Sequence, residues 1–152
     1  MNNKEHLIKR VAVICIGNIC RSPMGEALLR EGLSSREADI EVTSAGLGTI
    51  DGQPADRIAI TLMAERGLDI SAYRSTQFSP MDSMESDLIL VMSKEMRDSG
   101  VGKWPLLQGR VYPLGHWDGH DIDDPHMRGE KAFRKALKLI DTGVAQWLER
   151  IT

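Results

Sequence analysis

Cysteine is scarce in this chain: its 152 residues hold two, Cys15 and Cys20, five positions apart. A secreted domain stapled by disulfides carries more of them, spread more widely, so the reducing cytoplasm is the expected compartment. No apolar run approaches the roughly 20 residues that span a bilayer, so membrane insertion is not expected. The opening Met1-Asn-Asn-Lys-Glu-His6 runs into a short apolar stretch with no small-residue cleavage site, so no signal peptide is expected either. Basic excess is also missing: 19 Lys and Arg stand against 22 Asp and Glu, a net charge of −3. Binding along a nucleic-acid backbone needs a basic field, which argues against nucleic acid as the partner while leaving room for a local phosphate site. Internal repeats, low-complexity tracts and Pro- or Ser-rich linkers are absent, and the length suits a single domain over 1–152.

What is present is ordinary globular material, 41% apolar and 27% charged, arranged as alternating strands and helices. The β-branched run Arg10 to Ile16 reads as a strand. A helix then starts with Ser22 as N-cap and Pro23 at the first helical position, where no N–H is needed. Ile40 to Ser44 reads as a second strand, and Pro54 to Arg66 as a helix stopped by Gly67. Asp87 to Met92 is continuously apolar after its first residue, the pattern of a strand buried on both faces. Ser93 to Ser99 reads as a short helix closed by Gly100, and Arg110 to Leu114 as a fourth strand. The last helix runs from Gly129 to Arg150 with an apolar stripe through Phe133, Leu137, Ile140, Val144 and Trp147. This order predicts an α/β fold: an open four-stranded parallel sheet with helices on both faces. Such sheets bind ligands beyond the carboxyl ends of their strands, which directs attention to the loop after the first strand.

That loop reads Cys15-Ile-Gly-Asn-Ile-Cys-Arg21-Ser22-Pro23. It joins a buried strand to a helix N-terminus, where backbone N–H groups and the helix dipole favour an anion. Gly17 permits a turn with positive φ or close approach of backbone to ligand. Arg21 offers a planar, permanently charged fork for two oxygens of a tetrahedral oxyanion. A nucleotide-binding Walker loop would carry a lysine here, and this loop begins with a thiol instead. The same donors favour the thiolate of Cys15, with the Ser22 hydroxyl as a further partner. A thiolate beside a bound phosphate suits in-line attack on phosphorus, giving a phosphocysteine. Ile16, Gly17, Asn18, Ile19, Cys20, Arg21 and Ser22 are thus the candidate phosphate-binding loop. Taken singly, Cys15 reads better as a buried strand-end residue and Arg21 as a surface helix-start residue; the whole string at a strand–helix junction favours chemistry.

The leaving oxygen needs an acid, and Gly119-His-Asp-Ile-Asp-Asp124-Pro125-His126 is dense in carboxylates. Pro125 biases Asp124 away from helix, which suits a projecting side chain. On these residues alone an Asp-Pro pair more often just starts a turn.

The C-x5-R string with Gly-Asn inside it and Ser-Pro after it, Thr43-Ser-Ala-Gly46, and Asp124-Pro125 before the last helix together resemble a low-molecular-weight protein tyrosine phosphatase over nearly the whole chain. The resemblance implies a four-stranded parallel sheet flanked by helices. It implies Cys15 as nucleophile, Arg21 as phosphate ligand and Asp124 as general acid, with no cofactor and no metal. Asn18 and Ser22 resemble the family's loop-shaping and thiolate-stabilising residues, and Ser44 the hydroxyl that supports the loop asparagine. Ser44-Ala-Gly-Leu-Gly-Thr, Gly115-His-Trp-Asp and the Ile-Asp-Asp-Pro region look like the bacterial subgroup paired with tyrosine autokinases of exopolysaccharide or capsule production. That implies a phosphotyrosine protein, an autokinase, as partner. Four positions depart from the family pattern. His126-Met127 replace the aromatics that usually follow Asp-Pro, and Ile50 stands where many relatives carry Trp or Tyr. Tyr73 and Thr76 align with positions that are often His and Arg. Two outcomes are therefore expected for the tyrosine ring: looser recognition, or a substrate wall made of Ile16, Ile50, His126 and Met127.

Other activities compete on the same residues. A thioredoxin-coupled arsenate reductase needs two further cysteines outside the loop, which this chain lacks. A protein arginine phosphatase tends to carry Thr at the position of Ile19. A non-catalytic phospho-ligand module would be expected to have lost Cys15, Arg21 or Asp124. Cys20 reads equally as a packing residue and as a partner for a protective disulfide with Cys15. His116, His120, Asp121 and Asp123 have the composition of a zinc site, but a polar loop rim with Trp117 as a packing or rim residue is the simpler reading. Lys131, Arg134, Lys135 and Lys138 read as a solvated basic helix face.

Overall fold

The computed structural model describes residues 7–152, so the reading of Met1 to His6 lies outside the described residues. Four strands form one sheet: β1 (Arg10–Cys15), β2 (Glu41–Gly46), β3 (Leu88–Val91) and β4 (Val111–Pro113), in the order β2-β1-β3-β4. Every neighbouring pair is parallel, with Val11 opposite both Val42 and Leu88, and Ile89 opposite Val111. The inner strands β1 and β3 are buried from Val11 to Cys15 and along all of Leu88–Val91, as a sheet covered on both faces requires. The edge strand β2 is less buried and carries polar residues, Thr43 and Ser44.

The helices are α1 (Arg21–Ser35), α2 (Arg57–Ala64), the single turn α3 (Pro80–Ser83) and α4 (Glu130–Ile151). Gly25 lets α1 approach the sheet: a Cβ there would already lie 3.3 Å from Val13 and within van der Waals reach of Ile140 and Leu114. The stripe on α4 is buried as its spacing predicts, with Phe133 and Ile140 fully inaccessible. Trp147 closes the far end by donating its indole N–H to the Leu114 carbonyl at 3.1 Å.

Several boundaries differ from the sequence reading, for local reasons. Helix α1 begins at Arg21 with Cys20 at the cap position and no side-chain cap, because the Ser22 hydroxyl is engaged with Cys15 and Asn18. Helix α2 begins at Arg57 and not at Pro54, because Asp56 caps it by accepting from the Ile58 N–H at 2.8 Å. Gly67, at φ +75°, does end that helical segment. The segment read as a helix over Ser93–Ser99 holds a π-helical turn at Met96–Gly100, followed by 3₁₀ turns at Val101–Lys103 and Pro105–Leu107. Strand β1 ends at Cys15, one residue early, and β2 runs on to Gly46.

Truncating Phe133 to Ala removes a fully buried ring from the face of α4 that meets the sheet. It should cost roughly 3–5 kcal/mol, read as a lower midpoint in urea unfolding with an unchanged slope.

Candidate active site

Strand β1 delivers Cys15 to the carboxyl edge of the sheet, where the chain turns through residues 16–20 into α1. The Cys15 Sγ accepts the Asn18 N–H at 3.1 Å and meets the Ser22 hydroxyl at 2.9 Å. The turn is made by Asn18, at φ +57°, and not by Gly17, whose φ is not positive; Asn is among the few residues that tolerate this region. Because α1 has no side-chain cap, its first N–H groups are left for a ligand, the arrangement that suits an oxyanion.

Asn18 is fully buried, and its amide orientation follows from its neighbours. The Thr76 N–H donates to Oδ1 at 2.8 Å, so Nδ2 is the atom that faces Ser22 Oγ at 2.6 Å and Ser44 Oγ at 3.3 Å. Ser44 donates its single proton to Glu26 Oε2 at 2.8 Å, so the Tyr73 hydroxyl, 2.5 Å away, must donate to Ser44. The Ser22 Oγ, already accepting from Asn18, is left to donate to Cys15. One chain of donors thus ends on the sulfur. Burial pushes Tyr73 up, which keeps its hydroxyl a donor. Burial also raises Glu26, against the pull of Ser44 and of Arg30, whose Nη2 lies 2.6 Å from it.

Backbone bonds lock the surrounding segments to this loop. Leu47 N–H donates to the Cys15 carbonyl at 3.0 Å, Gly48 N–H to Ile16 at 2.9 Å and Asp56 N–H to Ile19 at 2.8 Å. Gly46 presses against the loop so closely that a Cβ would sit 2.5 Å from the Ile16 carbonyl oxygen and 2.8 Å from Asn18 Cβ. That contact accounts for a glycine after Ser44-Ala45.

Arg21 is buried, with Nη1 donating to the Ile122 carbonyl at 2.6 Å. Ile122 is itself buried and ties back to Met92 through its N–H at 2.8 Å, so the acidic loop is anchored by an apolar plug. Asp124 follows it, half exposed, with Oδ2 3.9 Å from Arg21 Nη2 and Oδ1 accepting the His126 N–H at 3.1 Å. These groups share a cleft of about 430 Å³ lined by Cys15, Arg21, Asp124, Ile16, Ile50 and His126, among others. Gly17, Ile19 and Cys20 also line it, whereas Asn18 and Ser22 stand behind it, fully buried.

Some residues fall elsewhere than the sequence suggested. Met127, read as part of the substrate wall, is 89% exposed and outside the cleft lining, because the chain turns at it with φ +60°. Thr49 and Gln53 line the cleft and were not anticipated; they arrive on the same loop as Ile50, which was. Glu26 was also missed, since a glutamate in mid-helix carries no local sign of burial. His116 and Trp117 pack in an edge-on aromatic cluster with Tyr112 and Trp147, and Arg150 lies 4.2 Å over the Trp117 ring, as a packing role predicts. Asp121 accepts the Lys94 N–H at 3.0 Å. Among the described residues, the metal-capable grouping is not in that loop but at Cys20, Asp56 and His126.

Comparison with known proteins gives this geometry a context. The family model described as low molecular weight phosphotyrosine protein phosphatase matches residues 10–152. The chain is 43% identical over 145 residues to a probable low molecular weight protein-tyrosine-phosphatase EpsP of Ralstonia solanacearum, covering 95% of this chain and 97% of that one. The Escherichia coli K30 tyrosine phosphatase Wzb, solved with sulphate, superposes with a TM-score of 0.88 at 33% identity, covering 96% of this chain and 100% of that one. Vibrio vulnificus Wzb, solved in complex with benzylphosphonate, gives a TM-score of 0.86 at 33% identity, covering 94% and 99%.

Replacing Gly46 by Ala should lower stability by roughly 1–3 kcal/mol and reduce kcat together with it, because the new methyl must displace the loop backbone. Unaltered turnover and an unaltered Tm in that variant would show the contact to be slack. Glu26 should titrate above its ordinary value of 4.5 in the folded protein, followed by carboxyl carbon NMR. The folded state then holds this proton more tightly than the unfolded chain does. The group's favourable contribution is therefore complete below about the ordinary value and is lost as pH rises through the folded value.

Proposed function

Because the chain belongs to the low molecular weight phosphotyrosine protein phosphatase family and is a protein-tyrosine phosphatase, we propose that it hydrolyses phosphotyrosine through a phosphocysteine on Cys15. The observation that carries this reading is the convergence on one sulfur of the Asn18 N–H at 3.1 Å and the Ser22 hydroxyl at 2.9 Å, at the foot of the cleft that also holds Arg21 and Asp124. Donors placed in this way stabilise negative charge on the sulfur as it attacks and as it leaves. The uncapped start of α1 and the Arg21 fork receive the phosphate oxygens, and their hold tightens as charge builds on them in the transition state. Sulfur attacks phosphorus, the bond to the tyrosine oxygen breaks, and Asp124 gives that oxygen a proton. Asp124 then takes a proton from the water that attacks the phosphocysteine, and the thiolate is restored with release of inorganic phosphate.

The cleft wall of Ile16, Ile50 and His126 offers an apolar face to the phenol ring. The benzylphosphonate bound by the Vibrio protein is an aryl-methyl analogue of such a group. The physiological substrate we infer is a bacterial tyrosine autokinase of exopolysaccharide or capsule production, acted on in the cytoplasm; likeness to EpsP and Wzb supports that reading. No helix among the described residues is long and apolar enough to cross a membrane.

Hydrolysis of p-nitrophenyl phosphate in EDTA should proceed in the wild type and vanish in Cys15→Ser. Acid-quenched wild type should carry a phosphoryl group on Cys15 by mass spectrometry. In Asp124→Ala, kcat/KM, which reports only the steps up to loss of the leaving group, should fall by about 10²–10⁴-fold with phenyl phosphate and much less with p-nitrophenyl phosphate, whose leaving group needs little protonation. Equal loss on both esters would take the acid role from Asp124. A peptide panel tests the substrate class: faster release from phosphoarginine than from phosphotyrosine would move it to arginine and leave the cysteine chemistry standing.

A further inference from the structure

Three segments remote in sequence meet at the edge of the cleft. Cys20 occupies the cap position of α1 and is buried. Asp56 caps α2 and is held beside the phosphate loop by its own N–H, which donates to the Ile19 carbonyl. His126 follows the Asp124-Pro125 pair, and its side chain is 47% exposed. The cap uses Asp56 Oδ1, leaving Oδ2 at 3.9 Å from His126 Nδ1. The same imidazole nitrogen lies 3.9 Å from Cys20 Sγ, and the sulfur, nitrogen and carboxylate oxygen all fall within 4.8 Å of one another.

An N–O separation of 3.9 Å is too long for a hydrogen bond. It suits two atoms bridged by one ion. Zinc bonds of about 2.3 Å to sulfur and about 2.0–2.2 Å to nitrogen or oxygen span at most roughly 4.4 Å between two ligands. Both pairs that include His126, at 3.9 Å, already lie within that span, and the Cys20–Asp56 pair, within 4.8 Å, closes to it by small turns of those two side chains. One thiolate, one imidazole and one carboxylate select a borderline-soft cation; magnesium and calcium prefer oxygen alone.

We propose that Cys20, Asp56 and His126 form a binding site for zinc(II) at the rim of the phosphate cleft, and that its occupation inhibits the enzyme. Binding forms the sulfur–zinc bond as the Cys20 S–H proton passes to solvent, with no change of oxidation state. Cys20 and His126 line the same cleft as Cys15, Arg21 and Asp124. The His126 N–H also holds Asp124 Oδ1 at 3.1 Å. A cation on the His126 ring therefore narrows the cleft mouth and fixes the segment that carries the acid. Its open fourth position faces water or a substrate oxygen.

The inhibition rests on the phosphatase reading, whereas the metal site does not, so two measurements separate them. The first uses Cys15→Ser protein, which lacks the other thiol, titrated with cobalt(II). A thiolate-to-cobalt charge-transfer band in the near ultraviolet is expected, and it should disappear when Cys20→Ser is added. The second measures zinc inhibition of p-nitrophenyl phosphate hydrolysis in wild type, His126→Ala and Asp56→Ser, each against its own metal-free rate. Asp56→Ser keeps a hydroxyl cap on α2. The apparent inhibition constant should rise about tenfold or more in both variants, since even a group hydrogen-bonded behind a metal ligand is worth about 10–100-fold. No band in Cys15→Ser, or equal zinc inhibition in all three proteins, overturns the site and puts any bound zinc on Cys15.

Discussion

The arrangement of this active site depends on Asn18. It is one residue, fully buried, in the left-handed region of backbone space, and its three side-chain hydrogen bonds reach Ser22, Ser44 and the Thr76 backbone. Its own N–H reaches the nucleophile. Each bond ties a different part of the chain to the loop: the first turn of α1, the end of β2 and the segment running beside it. A buried amide with a missing partner is costly, so all three attachments must be made together or the loop must open. The φ of +57° then puts the Asn18 N–H on the sulfur without any help from a glycine.

The same requirement explains why the supporting residues are polar in an otherwise apolar setting. Ser44 sits on an edge strand, where a side chain can be polar and still face inward at one end. Glu26 and Tyr73 complete its bonding, and the carboxylate at the end of the chain sets the direction of every proton before it. Ser44 must donate to Glu26, so Tyr73 donates to Ser44, and the Asn18 amide, fixed by Thr76, donates to both serines. Ser22 is left with its hydroxyl hydrogen pointing at Cys15. Negative charge developing on the sulfur would therefore meet oriented dipoles held in place from behind by buried partners.

The sheet was legible in the sequence because its strands are short, β-branched and bordered by turn residues, and β3 is apolar on both faces. The loop was legible because a nucleophile, a guanidinium and a helix start are adjacent in the chain. What was not legible depends on distant contacts. Ser22 looks like a cap, and only the packing of Asn18 turns its hydroxyl back to the sulfur. Gly17 looks like the residue of the turn, and the turn falls on Asn18 because its amide has partners waiting. Asp56 stops α2 from starting at Pro54 through a hydrogen bond within its own turn, a signal that was present in Asp56-Arg57-Ile58 and outweighed by the longer apolar pattern. Glu26, Thr49 and Gln53 carry no local sign of their place, since each is brought to the site by an element that packs from elsewhere.

Burial divides the site into two parts with different freedom to vary. Cys15, Asn18, Arg21 and Ser22 are at most 5% exposed; Cys15, Asn18 and Ser22 satisfy one another's hydrogen bonds, and Arg21 donates to the Ile122 carbonyl. A change at any of them leaves a buried polar group unpaired, so the geometry of this loop is rigidly set. Ile50 and Met127, by contrast, are 71% and 89% exposed and no side-chain hydrogen bond holds them. An exposed apolar side chain can be exchanged at small cost to folding, so the ring wall can drift between sequences while the phosphate cradle cannot. On the phosphotyrosine reading proposed above, selectivity among phosphorylated side chains belongs to the exposed rim, where His126 lies near Cys20 and Asp56 and is the one wall residue with chemistry beyond packing.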